Sequence, residues 1–177
     1  MTNIIEEVQK NLGFAPLEKI DPNTQDAKSK QKAFQTNTLA QAAIPAVACG
    51  MINYILMNNP DRDFLDQKGS VLLSSLFGNN LPEMSQKISE YAGTTNTATE
   101  DEMKFIANET ARVIKENTKG NESMAHFASE HKNEVLHYLP AALQTGELLG
   151  NNHLDDKTNK MEGPVSDLMH AIEKKFS

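Results

Sequence analysis

The run Leu39–Met57, LAQAAIPAVACGMINYILM, constrains the fold more than any other part of the chain, because its nineteen residues carry no charged side chain. Such a run must be hidden from water, and at about 1.5 Å per residue it approaches the roughly 20 residues that span a bilayer. Three features argue for burial inside protein rather than lipid. Five of the residues are Ala, with little hydrophobic drive, and Gln41 and Asn53 would sit in hydrocarbon. Pro45 lacks an amide hydrogen and predicts a kink or break. The nearest basic cluster (Lys28, Lys30, Lys32) lies upstream of the boundary where an orienting anchor belongs. A helix apolar nearly all round is a core helix, so the expectation is a buried central element and no membrane contact.

The remaining chain reads as amphipathic helix joined by polar turns. Ile4, Ile5, Val8 and Leu12 recur at helical spacing after a capping Thr2 or Asn3, and Gly13 offers a left-handed stop. Residues 14–23 read as a connection, and a polar helix is expected from Asp26 into the central run. Asn58-Asn59-Pro60-Asp61 ends that run with turn chemistry. Phe64, Leu65, Leu72, Leu76 and Phe77 predict an apolar arc closed by Gly78, and Pro82 suits the first turn of a helix carrying Met84, Ile88 and Tyr91. Gly93 to Ala98 reads as a loop before Thr99-Glu100-Asp101-Glu102, a capping box. Met103, Ile106, Val113 and Ile114 then form a buried stripe, with Arg112 spaced to pair with Glu109 and Glu116, and Gly120 as the stop. A further helix is expected from about Glu122 to Leu139, kinked or ended by Pro140. After a polar hinge, Val165, Leu168, Met169, Ile172 and Phe176 line one side of a terminal helix.

The predicted architecture is all-α: one helical bundle of six to eight helices over residues 1–150, with the segment 151–177 packed on the same domain. No strand-like alternation, internal repeat or low-complexity tract occurs. A net charge of −7, with only Arg62 and Arg112 as arginines among seventeen basic residues, argues against nucleic acid as a partner. Cys49 is alone inside the apolar run, which excludes an intramolecular disulfide and fits a buried, inert thiol. The N-terminus places two Glu among its few apolar residues, unlike a signal peptide, and a cytoplasmic location is expected.

GSVLLSSLFGNN over 69–80, the helix ending YAGT, and the capped helix after it resemble the bacterial YidB-like family of small helical proteins. The likeness covers about residues 69–117 and rests mainly on Leu and Gly. The family's Gly-rich tracts are missing, and Thr99-Glu100-Asp101-Glu102 stands where a small-residue cap is usual. The family has no agreed activity, so the resemblance implies an all-α fold and transfers no functional residue.

Candidate chemistry concentrates between His126 and Tyr138. Glu134-Val-Leu-His137 has the Glu-x-x-His spacing of di-iron bundles, but no second copy of that motif exists. At about 100° per residue, His126, Glu130, Glu134 and His137 share one sector opposite Phe127, Val135 and Tyr138. They therefore predict a solvated stripe, with an exposed metal or partner site as the sharper reading. His131 projects among Met124, Phe127, Val135 and Tyr138; it reads as a core histidine or, with Tyr138, as a ligand-binding pair. Two acidic turns, Asp61–Asp66 and Asp155–Asn159, begin like calcium loops but lack the required ligand and Gly positions, so caps and solvated turns are expected. No Gly-rich phosphate loop, Gly-x-Ser-x-Gly elbow or Cys-x-x-Cys appears, and no cofactor is implied. The expected role is a non-enzymatic protein that binds another protein or self-associates. The alternative is a small-molecule or metal-binding protein, or an enzyme, using His131 or the His126/Glu130/Glu134/His137 stripe.

Overall fold

A computed structural model describes residues 3–20, 38–119 and 123–150. Its helices are α1 (Ile4–Asn11), α2 (Thr38–Asn58), α3 (Gly69–Phe77), α4 (Leu81–Ala92), α5 (Asn96–Asn117) and α6 (Met124–Leu136), followed by a single turn, α7 (Thr145–Leu148). The six helices pack as a bundle, and no strand occurs among the described residues. The expected polar helix from Asp26, the Gly120 stop and the terminal helix all lie outside the described residues.

The central run is α2. Every residue from Ala40 to Ile52 is buried, and Ile55 with them. The reason is positional: α1, α3, α4, α5 and α6 all touch it. By length and composition it is the one described helix able to cross a membrane, yet 78% of its most apolar window is covered by the protein's own neighbours. Of the kink or break expected at Pro45, the break does not occur: the helix runs on to Asn58. It brings no amide, so the Gln41 carbonyl loses its helical donor. Asn59, at φ 43°, supplies the left-handed stop beyond the helix.

α1 starts as its sequence indicates. The Asn3 side chain accepts the Glu6 amide at 3.1 Å, and Ile4, Ile5 and Val8 are fully buried. Two side-chain bonds fasten it to α5: Asn11 donates to Glu109 at 2.8 Å, and Asn117 donates to Glu7 at 3.2 Å.

The α4–α5 corner corrects the expected helix start. α5 begins at Asn96, and its cap is Thr95, whose hydroxyl accepts the Ala98 amide at 3.3 Å. Thr99 lies inside the helix, fully buried, with its hydroxyl unpartnered. The turn closes early because α4 reaches across it: the Ser89 hydroxyl donates to the Asn96 side chain at 2.5 Å, and Ser85 donates to the Asn96 carbonyl at 3.4 Å. Residues 93–95, opened by Gly93 at φ +67°, are all that separates the two helices.

The apolar arc from Phe64 to Phe77 divides in two: a short 3₁₀ turn, Arg62–Asp66, and α3. Phe64 stacks on Tyr54 at 4.5 Å between ring centroids. Arg62 donates to the Thr118 carbonyl at 2.9 Å and to the Lys115 carbonyl at 2.5 Å. It thus satisfies the last carbonyls of α5 with a cation at the negative end of the helix dipole. Arg62→Ala is expected to cost about 1.5–3 kcal/mol, the range for a hydrogen bond to a charged group. Arg62→Lys should recover only part of this, because one ammonium cannot reproduce the guanidinium fork. Thermal melts of the two variants check it, and equal melting of Arg62→Lys and wild type would contradict the cap. Asp66, in the turn that begins like a calcium loop, pairs with Lys115.

Candidate functional site

The residues with the most chemistry gather where α6 ends against α1 and α2. The Ser123 hydroxyl accepts the His126 amide at 3.1 Å and starts α6. Phe127, Ala128, His131, Val135 and Leu136 face inward. α6 stops at Leu136, three residues before the expected end. His137 is its cap, with its amide donating to the Glu134 carbonyl at 3.1 Å.

His131 is buried, as its position among apolar neighbours predicts, with 5% of its surface exposed. Its ring lies 4.2 Å from that of Phe127, tilted by 45°. Nδ1 is 3.0 Å from Glu134 Oε2. Glu134 therefore leaves the stripe it was assigned to. It sits at the sector's edge nearest His131, and residues three apart are neighbours on a helix. The rest of the stripe is a surface pair, His126 Nε2 with Glu130 Oε1 at 3.4 Å, and an exposed His137 at the cap. The structure does not bring the four residues together. Among the described residues no three His, Cys, Asp or Glu side chains converge as metal ligands must.

Tyr138 is the second candidate, and it is buried beside α1. Its hydroxyl receives the Asn3 amide hydrogen at 3.2 Å and donates to Glu6 Oε1 at 3.3 Å. Burial pushes the phenol above its ordinary value; the Asn3 bond opposes this, and the negative charges of Glu6 and Glu134 add to it. The Lys19 ammonium lies 5.8 Å from the ring centroid, within cation–π range. His131 and Tyr138 thus share one neighbour, Glu134, which bonds the first and acts on the second only through its charge.

Sequence reasoning missed the residue that organises this corner. Gln41 is buried on α2. Its Oε1 accepts the Glu18 amide at 2.8 Å, and its Nε2 donates to the Glu18 carbonyl at 3.0 Å and the Tyr138 carbonyl at 3.3 Å. The Ile20 amide donates to the His137 carbonyl at 2.7 Å. His137 therefore contributes its backbone here. The available signal was that a carboxamide buried in an apolar run must find partners.

This corner binds and orders backbone. A nearby hollow, lined by Cys49, Ile52, Asn53, Lys132 and Val135, has a volume of about 10 Å³, room for about one water, and neither His131 nor Tyr138 lines it. The second feature of note is at the surface. Gly69 of α3 meets the backbone of Lys104 on α5, and the large apolar side chains Val71 and Phe105 are 47% and 62% exposed. Each lies within two residues of that crossing. Phe105 is bracketed along α5 by ion pairs, Asp101–Lys104 at 2.9 Å and Arg112 with Glu109 and Glu116 at 2.5 and 2.7 Å, the last two as the spacing predicted.

No family model, curated protein or solved structure matches the chain.

Proposed function

We propose that this protein works by contact with another protein chain, its own copy or a different one, rather than by chemistry on a small molecule. The observation that carries the reading is the pair Val71 and Phe105, two large apolar side chains held out to solvent at one helix crossing. The helices that carry them otherwise bury their apolar residues: Leu72 and Leu73 on α3, Met103 and Ile106 on α5, each no more than 1% exposed. Aromatic groups presented on rigid elements are the usual anchors of protein interfaces. The charges on either side of Phe105 along α5, Asp101 with Lys104 and Arg112 with Glu109 and Glu116, are paired among themselves. The cytoplasm is the compartment proposed, with neither nucleic acid nor membrane as partner, supported by the acidic surface and the covered α2. Membership of the YidB-like family is likewise a proposal, resting on residues 69–117.

A photo-crosslinking residue at position 105 tests this in the native host. A discrete adduct is expected, weakened by Val71→Ser and missing when the crosslinker replaces the exposed Ser129 on α6. Native mass spectrometry of untagged protein supplies the opposing result: a stoichiometric metal or small ligand, with no adduct at 105, overturns the reading.

A further inference from the structure

The geometry points to a second interaction surface, separate from the Val71–Phe105 crossing and independent of it. We propose that residues 14–20 form a displaceable strap, and that the cleft beneath it docks an extended peptide segment of a partner protein. The strap is the least anchored described part of the chain's first twenty residues. None of its residues is buried; Phe14, Leu17 and Ile20 are half-covered, and Ala15, Pro16, Glu18 and Lys19 are exposed. α1, just before it, is fixed by Ile4, Ile5 and Val8 and stays in place when the strap lifts. Segments with few buried apolar contacts open first, at a small fraction of the cost of global unfolding.

What holds the strap is its main chain. Gln9 of α1 holds the strap's first residue, donating to the Phe14 carbonyl at 2.7 Å and accepting the Phe14 amide at 3.0 Å; beyond that hinge Gln41 grips Glu18 on both sides, amide and carbonyl, and Ile20 donates to the His137 carbonyl. Glu18 and Ile20 are two residues apart, the spacing at which an extended chain presents the same edge. This is the logic of strand addition, in which backbone bonds supply affinity and alternate side chains supply specificity. Once the strap lifts, the Gln41 carboxamide loses two of its three partners. A buried amide left unsatisfied is costly, so the open cleft favours any extended segment that offers one N–H and one C=O in the same place. The side chains set a preference. An apolar residue belongs at the position before the gripped unit, where Leu17 rests on the core, and a cation at the position after it, where Lys19 lies over Tyr138.

The test uses the full chain. Residue-resolved hydrogen exchange should show the Glu18 and Ile20 amides opening roughly a hundredfold more often than buried α2 amides. Glu18→Pro removes the amide that Gln41 accepts and should leave the strap open. A labelled synthetic peptide copying residues 13–20 should then bind the Glu18→Pro protein about tenfold more tightly than wild type, because the competent fraction rises. Adding Gln41→Leu should abolish the gain. Strap amides that exchange only as slowly as α2 overturn the proposal, as does peptide affinity unchanged by Glu18→Pro or a gain that survives Gln41→Leu. A concentration-dependent dimer of Glu18→Pro that binds no peptide would give the cleft to a second copy and also overturn it.

Discussion

Gly69→Ala should destabilise the protein by about 3 kcal/mol, the upper end of what overpacking usually costs, and lower its melting temperature by roughly 6–12 °C. A Cβ built on Gly69 lies 2.1 Å from the Lys104 carbonyl oxygen, 2.9 Å from its carbon and 3.0 Å from its Cα. All three atoms are backbone in the middle of a 22-residue helix, so no rotamer change relieves the clash. α3 and α5 have to separate, and Leu72, Leu73, Met103 and Ile106 lose contact together. Gly50→Ala is the control. There the added carbon meets Phe77 Cζ at 3.1 Å and Leu76 Cβ at 3.4 Å, and a ring edge can yield by a few tenths of an ångström. Ala also favours helix over Gly by about 1 kcal/mol, so Gly50→Ala should melt close to wild type. If the two variants melted alike, the close α3–α5 approach would be wrong, and the joint display of Val71 and Phe105 would lose its basis.

That glycine also shows where the sequence was legible and where it was not. Leu39–Met57 announced itself because burial of an uncharged run is a property of the run alone. The stripe of Met103, Ile106, Val113 and Ile114 was likewise visible, since periodicity is local. Gly69 looked like an ordinary residue within an apolar arc; the demand for a missing Cβ comes from Lys104, thirty-five positions away in the chain. Thr99 failed for a related reason. Its capping box is sound as local chemistry, but Ser85 and Ser89 on the preceding helix hold Asn96 and start the turn at Thr95. The buried position of His131 followed from helical angles. The choice of Glu134 to pair with His131 did not, because a residue at the edge of a sector can turn either way. Gln41 was read only as a polar group unsuited to lipid. Its three backbone contacts to Glu18 and Tyr138 join segments 23 and 97 residues away, beyond the reach of any window.

Ile44→Ala carries the other large effect: about 2–5 kcal/mol, with the upper half expected. The side chain is fully buried in α2, and so are Ala40, Ala42, Ala43, Ala46 and Ala48 on the same helix. Removing three carbons from such a place leaves a void, and its cost depends on how far the surroundings collapse into it. Alanine neighbours have no χ angles with which to refill the space, and the helices around α2 are each held by contacts of their own. Met57→Ala, at the exposed end of the same helix with 72% of the residue in solvent, should change stability by about 0.5 kcal/mol or less. Urea unfolding of both variants measures the contrast directly, with the slope of the transition reporting whether compactness changed as well. A helix lying in lipid, or against a roomy polar cavity, predicts a different pattern: position 44 would tolerate Ala about as well as position 57. Near-equal midpoints for the two variants would therefore remove α2 from the centre of the bundle, and the helices arranged around it would need another core.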